Sequence, residues 1–91
     1  MKASAQISVY PLRQQHLGPA IEAVRASFEK QGLVPEVGPM STLVNGDAER
    51  IFDAVREAFE SVAETGNVAI VLTLSNACPA DVKDAHVVGE L

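Results

Sequence analysis

Tryptophan is absent from these 91 residues, tyrosine occurs once, phenylalanine three times and cysteine once. A lone cysteine closes no internal disulfide, so a disulfide-stapled scaffold is excluded and a reducing compartment is expected. Basic residues are scarce, seven against twelve acidic ones for a net charge of −5. None of the Lys or Arg residues neighbours another, so nothing here would displace condensed counterions from a phosphate backbone, and nucleic acid binding is not expected. The longest apolar run, Val68 to Leu72, falls far short of the ~20 residues that span a bilayer as a helix. The opening, MKASAQISVY, lacks the continuous apolar segment of a secretory leader. A soluble, cytoplasmic protein without membrane insertion is expected.

What is present is 47% apolar content, enough for one compact domain over residues 1–91, with a core over about 5–80 and a tail, 81–91, that has no clear period. A chain of this length buries only roughly 60–65% of its unfolded surface, so burial against a second subunit would add stability. Residues 5–10, AQISVY, alternate Ala5, Ile7 and Val9 with Gln6, Ser8 and Tyr10, the period of a strand with two different faces, and Pro11 ends it. Ala20, Ile21, Val24 and Phe28 recur at helical spacing after Pro19, and Gly32 stops that helix. Strands are predicted at 33–38 and 40–44, bent at Gly38-Pro39, followed by a turn at Asn45-Gly46-Asp47 with Asp47 as helix cap. Ile51, Phe52, Val55, Phe59 and Val62 mark the apolar stripe of a second helix, and Val68 to Leu74 a fourth strand.

The order β-α-β-β-α-β predicts an α+β, ferredoxin-like sandwich: an antiparallel four-stranded sheet, order 4-1-3-2, with both helices on one face. Parity places Ile7, Val9, Leu43, Ile70, Leu72 and Leu74 under the helices. Gln6, Ser8, Tyr10, Met40, Thr42, Val44, Ala69, Val71, Thr73 and Ser75 then fall on the open face. That face is small, neutral and hydrogen-bonding, with no Lys, Glu or Arg at these positions. A half-polar sheet can face water, but burial against another subunit or a ligand is the favoured reading.

Cys78 with His16 or His86 can be drawn as a nucleophile and base, yet the pattern sets neither histidine beside it. Cys78, Asp81, Asp84 and His86 match no closed zinc spacing. A small buried thiol followed by solvated acids is the simpler account. Gly38 to Thr42 is too short for a phosphate loop and feeds a strand rather than a helix. Hairpin chemistry explains Gly38 and Pro39, but not Ser41 and Thr42, which are expected at the level where Ser75 and Asn76 end the last strand.

ISVYPL in the first strand, GLVPEVGPMSTLVNGD across the hairpin and TLSNACP at the end of the last strand resemble the YkoF-related family of thiamine- and hydroxymethylpyrimidine-binding proteins, over residues 5 to about 80. The resemblance implies a ferredoxin-like domain, no catalysis, no cofactor, and capture of thiamine or its pyrimidine moiety in support of uptake or salvage. It implies a ligand pocket drawing on Tyr10, Pro11, Met40, Ser41, Thr42, Ser75, Asn76 and Cys78. YkoF itself holds two such domains in tandem and this chain holds one, so a homodimer or higher homo-oligomer, paired through the open sheet face, is the expected counterpart. An aminopyrimidine, with amine donors and ring-nitrogen acceptors, suits Ser, Thr and Asn partners and a flat or soft wall such as Tyr10 or Met40. The alternative is a regulatory or structural oligomerisation module whose polar sheet face is only an interface.

Overall fold

A computed structural model describes residues 1–13, 17–39 and 41–77. Its elements are β1 (Lys2–Pro11), α1 (Gly18–Lys30), β2 (Glu36–Val37), β3 (Thr42–Asp47), α2 (Ala48–Ala63) and β4 (Val68–Ser75). The four strands form one antiparallel sheet in the order β2-β3-β1-β4. This is the predicted ferredoxin-like α+β arrangement. The tail, Met40 and Cys78 lie outside the described residues.

The core forms between the helices and one sheet face. Ala3, Ala5 and Ile7 of β1 and Val44 of β3 are buried under Val24 and Phe28 of α1 and Ile51, Ala54 and Ala58 of α2. Small alanines on β1 and α2 let these layers approach, while Phe28 and Ile51 fill the space between them. α1 ends as its sequence predicts. Gly32, at φ 79°, donates to Glu29 O while Leu33 donates to Phe28 O, the paired bonds of a Schellman motif. The accompanying apolar contact is between Leu33 and Phe28, which share the core.

Several boundaries differ from the sequence expectation. The second strand is two residues rather than six, because Leu33 is drawn into the core as the end of the α1 cap and the chain extends again only at Glu36. The third strand starts later and runs through Asn45-Gly46-Asp47, which form no turn. β1 begins at Lys2 and provides partners for them: Ser4 opposite Asn45, Ala3 opposite Gly46 and Lys2 opposite Asp47. Gly46 is the residue over which Leu33 passes, and a Cβ there would collide with the Leu33 side chain.

The second helix also differs. Its buried stripe is Ile51, Ala54, Ala58 and Val62, whereas Phe52 and Phe59 stand 50% and 45% exposed. The alanines outrank the larger phenylalanines at the core because α1 and α2 lie close together there.

Asp47 caps α2, accepting from the Glu49 N–H at 3.4 Å, with the Met1 amino group 3.5 Å away. The backbone hydrogen bond from Glu49, and then the positive charge of the amino group, hold its carboxyl below the usual carboxylate range. A carboxylate stabilised in the folded state contributes fully above its unfolded pKa, and that contribution is lost as pH falls through the lowered folded value. Asp47→Asn keeps an acceptor at the cap and removes the charge. The variant is therefore expected to show a smaller loss of Tm than the parent when thermal melts are compared between neutral pH and the acid side of the carboxylate range.

Candidate functional site

Strand pairing decides which polar groups share a face. Thr42 lies opposite Ile7, and Ile7 opposite Leu72. Directly paired residues point to the same side of a sheet, so Thr42 and Val44 face the helices with Ile7 and Ala5. Both are buried, Thr42 at 5% exposure, while Leu43 is exposed. The expected parity for this strand is thus reversed. The cause is the hairpin, in which Gly38 N–H donates to Ser41 O at 2.8 Å and sets where pairing with β1 begins. One residue's difference in where pairing starts inverts every side chain in a strand.

The open face is otherwise as expected for β1 and β4. Gln6 is flanked by Leu43 and Thr73, Ser8 by Val71, Tyr10 by Ala69, and Ser4 by Asn45 and Ser75. Tyr10, Leu43 and Val71 are exposed there. The short β2 adds Glu36, opposite Leu43, so the face has a carboxylate at its rim that parity of the longer strands does not reveal.

Of the anticipated site residues, Ser41 and Thr42 come together in a narrow cleft on the helix side, lined also by Ile7, Val9, Leu17 and Ile21. Its volume is about 30 Å³, room for one or two waters. Among the described residues Thr42 makes no side-chain hydrogen bond, yet no fully enclosed side-chain polar atom there is without a partner. The Thr42 hydroxyl therefore reaches the space of the cleft. An apolar pocket with a few directed polar groups is the usual form of a small-molecule site. The cleft must widen to admit a six-membered ring, and the exposed Leu17 and Pro39 stand where it would open.

Ser75 and Asn76 lie elsewhere. Ser75 is level with Ser4 and Asn45, three residues along from the Thr42–Ile7–Leu72 row, about 10 Å, and on the opposite face. Sequence reasoning expected the two groups at one level. The difference arises because β3 extends to Asp47, so that Asn45 rather than Thr42 meets the end of β4. Ser75 Oγ accepts from the Ala77 N–H at 3.0 Å, and the Ser4 hydroxyl, 2.6 Å from Asn45 Oδ1, reaches the Ala77 carbonyl at 2.9 Å. A hydroxyl has one hydrogen, so the network is balanced when Ser4 donates to Ala77 O and the Asn45 amide is turned to donate to Ser4. These groups close the end of the sheet. Asn45 is the member that sequence reasoning missed, having read it as a turn. Tyr10 and Pro11 sit at the other end of β1, opposite Ala69 and Val68, and Met40 and Cys78 fall outside the described residues.

Among the described residues no three His, Cys, Asp or Glu side chains gather as a metal cluster, and no helix is long and apolar enough to cross a membrane.

A two-helix, four-stranded sandwich with a polar-tipped cleft beside its hairpin defines the class of small ferredoxin-like domains. Residues 5–84 match the family model described as Thiamine-binding protein, and the chain belongs to that family. Among solved structures, a hypothetical protein of Methanocaldococcus jannascii superposes with a TM-score of 0.78 at 26% identity, covering 99% of this chain and 98% of that one. A Thermotoga maritima protein provisionally assigned to thiamine biosynthesis or salvage superposes at 0.71 with 26% identity, covering 82% and 83%. A Streptococcus pneumoniae protein shares the fold, at 0.76 and 23% identity over 96% and 99%. No curated protein matches the sequence.

Proposed function

We propose that the protein binds thiamine or its hydroxymethylpyrimidine moiety without chemical change, in the cytoplasm, in support of uptake or salvage of the vitamin. The family match over residues 5–84 supports a thiamine-related role. The observation that carries the binding reading is the Thr42 hydroxyl, on a residue only 5% exposed, which has no hydrogen-bond partner among the described residues and opens into a cleft lined largely by apolar side chains. A hydroxyl in such a setting gains a directed bond from an aminopyrimidine ring, while Ile7, Val9, Leu17 and Ile21 bury the ring's faces. Ser41 also lines the cleft, and Tyr10, Pro11, Met40, Ser75, Asn76 and Cys78 remain ligand residues that substitution can examine one by one.

Assembly through the open sheet face belongs to the same proposal. Tyr10, Leu43 and Val71 expose apolar surface there, among neutral polar groups with the Glu36 carboxylate at the rim, a composition closer to an interface than to a solvated face. This observation also favours the second reading, an oligomerisation module without a ligand. Titration calorimetry with thiamine and with hydroxymethylpyrimidine, paired with thermal melts, separates the two. Binding is expected to raise Tm, since a ligand at 100 times its Kd stabilises by about 2.7 kcal/mol. No heat and no shift at millimolar concentration of either compound would leave the assembly reading alone.

A further inference from the structure

The protein is acidic, with a net charge of −5, but its cations without an acidic partner are not scattered. Arg25 is paired with Glu22 and Glu29, Lys30 with Glu57 and Arg56 with Asp53. Among the described residues, Lys2, Arg13 and Arg50 have no carboxylate within ion-pair reach. Lys2 and Arg50 both line one open cavity of about 430 Å³, between the segment that follows α1 and the end of β3. Small-molecule sites occupy roughly 300–1,000 Å³.

Strand geometry adds donors. Gly38 N–H donates to Ser41 O just before β3, and Ala48 N–H donates to Met1 O just past its end. Main-chain groups along a strand turn to alternate sides, and both bonds give the same phase: Val44 and Gly46 bond toward β1, while Leu43, Asn45 and Asp47 turn away from it. Leu43 meets Glu36, the first residue of β2. Asn45 and Asp47 lie past that point, so their N–H groups are directed at the cavity that they line. Arg50 is held in place by the bond from its Nη1 to Gln31 O at 3.2 Å. Gly32 makes room for it, since a Cβ there would lie 3.3 Å from the same nitrogen. The other guanidinium N–H groups are left for a ligand. Asp47, the carboxylate of the lining, is already engaged by the Glu49 N–H and the Met1 amino group, which leaves the charges of Lys2 and Arg50 in surplus.

We propose that this cavity is a second ligand site, for a phosphate group carried by free phosphate or by a small monoester. A phosphate monoester carries about −1.5 to −2 charges at neutral pH, which matches the two cations. Its oxygens accept paired bonds from a planar guanidinium and single bonds from main-chain N–H groups. Val34, 84% exposed at the cavity wall, gives apolar contact to the organic part of a monoester. The site is separate from the cleft at Thr42, since Asn45 lies three residues farther along β3, about 10 Å away.

Titration calorimetry of the full chain with inorganic phosphate and with phenyl phosphate, at an ionic strength held constant with chloride, tests the proposal. Saturable binding is expected. Both cations are exposed, so Lys2→Gln and Arg50→Gln are each expected to weaken it by about threefold to tenfold, and the double variant to abolish it. Arg56→Gln removes a cation already paired with Asp53 and is expected to leave Kd unchanged. Far-ultraviolet circular dichroism reports folding. If Arg50→Gln does not fold, Lys2→Gln and Arg50→Lys, which keeps the charge but not the paired bonds, give the same readout. Equal Kd for the two probes makes free phosphate the occupant, and tighter phenyl phosphate, with Val34→Ser removing the difference, makes it a monoester. No saturable heat at millimolar phosphate, one Kd shared by the parent and both single variants, or a loss with Arg56→Gln equal to that with Arg50→Gln would each overturn the proposal.

Discussion

Phe28→Ala is expected to destabilise the domain by about 3–5 kcal/mol, out of a total of about 5–15 kcal/mol for a small domain. Phe28 is 0% exposed and is the largest fully buried side chain. It performs two tasks at once, filling the space between α1 and the sheet and holding Leu33 at the close of the helix through the bond from Leu33 N–H to its carbonyl. Truncation removes the ring, leaves a cavity that the small alanines around it cannot close, and frees Leu33 to swing away from Gly46. Urea and thermal unfolding measure the effect, with a Tm lower by about 15–30 °C for a domain of this size. Phe28→Leu keeps most of the volume and is expected to cost far less. A loss below about 1 kcal/mol for Phe28→Ala would mean that the packing between α1 and the sheet is carried by other residues.

Thr42→Val is expected to weaken binding of thiamine and of hydroxymethylpyrimidine by about 1–3 kcal/mol, roughly 5- to 150-fold in Kd, and to leave stability unchanged or slightly raised. Valine has nearly the shape of threonine, and the hydroxyl it removes has no hydrogen-bond partner among the described residues, so folding loses no hydrogen bond there. A bound ring, by contrast, is left facing a methyl group. Calorimetry on the folded variant reads the change directly. Asn76→Ala, beyond the end of β4 and more than about 10 Å along the sheet from Thr42, is expected to leave Kd within about twofold if the ring occupies the cleft. The reverse pattern, loss with Asn76→Ala and none with Thr42→Val, would move the site to the Ser75–Asn76 end of β4.

Both expectations depend on one inversion. The sequence shows that Ser41, Thr42, Ser75 and Asn76 are chemically suited to a pyrimidine, and the motif GPMST with SNACP brings them to attention together. It does not show that Thr42 faces the helices while Ser75 faces the open side. The alternation of Met40, Thr42 and Val44 against Ser41 and Leu43 allows either face, since Thr42 and Leu43 are both tolerated in a half-buried position. Pairing of Ile7 with Thr42 removes the ambiguity, and that pairing is set by the hairpin bond between Gly38 and Ser41. Phe52 and Phe59 give the same lesson on α2. They fit a helical apolar stripe as well as Ala54 and Ala58 do, and only the nearness of α1 selects the alanines.

Taken alone, the sequence determined the element order, the two caps at Gly32 and Asp47, the faces of β1 and β4, and the family resemblance, because each rests on local periodicity or on the chemistry of one residue. The tertiary structure decided the face and length of β3, the separation of the Ser41–Thr42 cleft from the Ser75 end, the carboxylate of Glu36 on the open face and the exposure of Phe52 and Phe59 on α2. These depend on register and on which helix lies beside which strand. Register is a relation between distant segments, and a shift of one residue changes it without altering any local pattern.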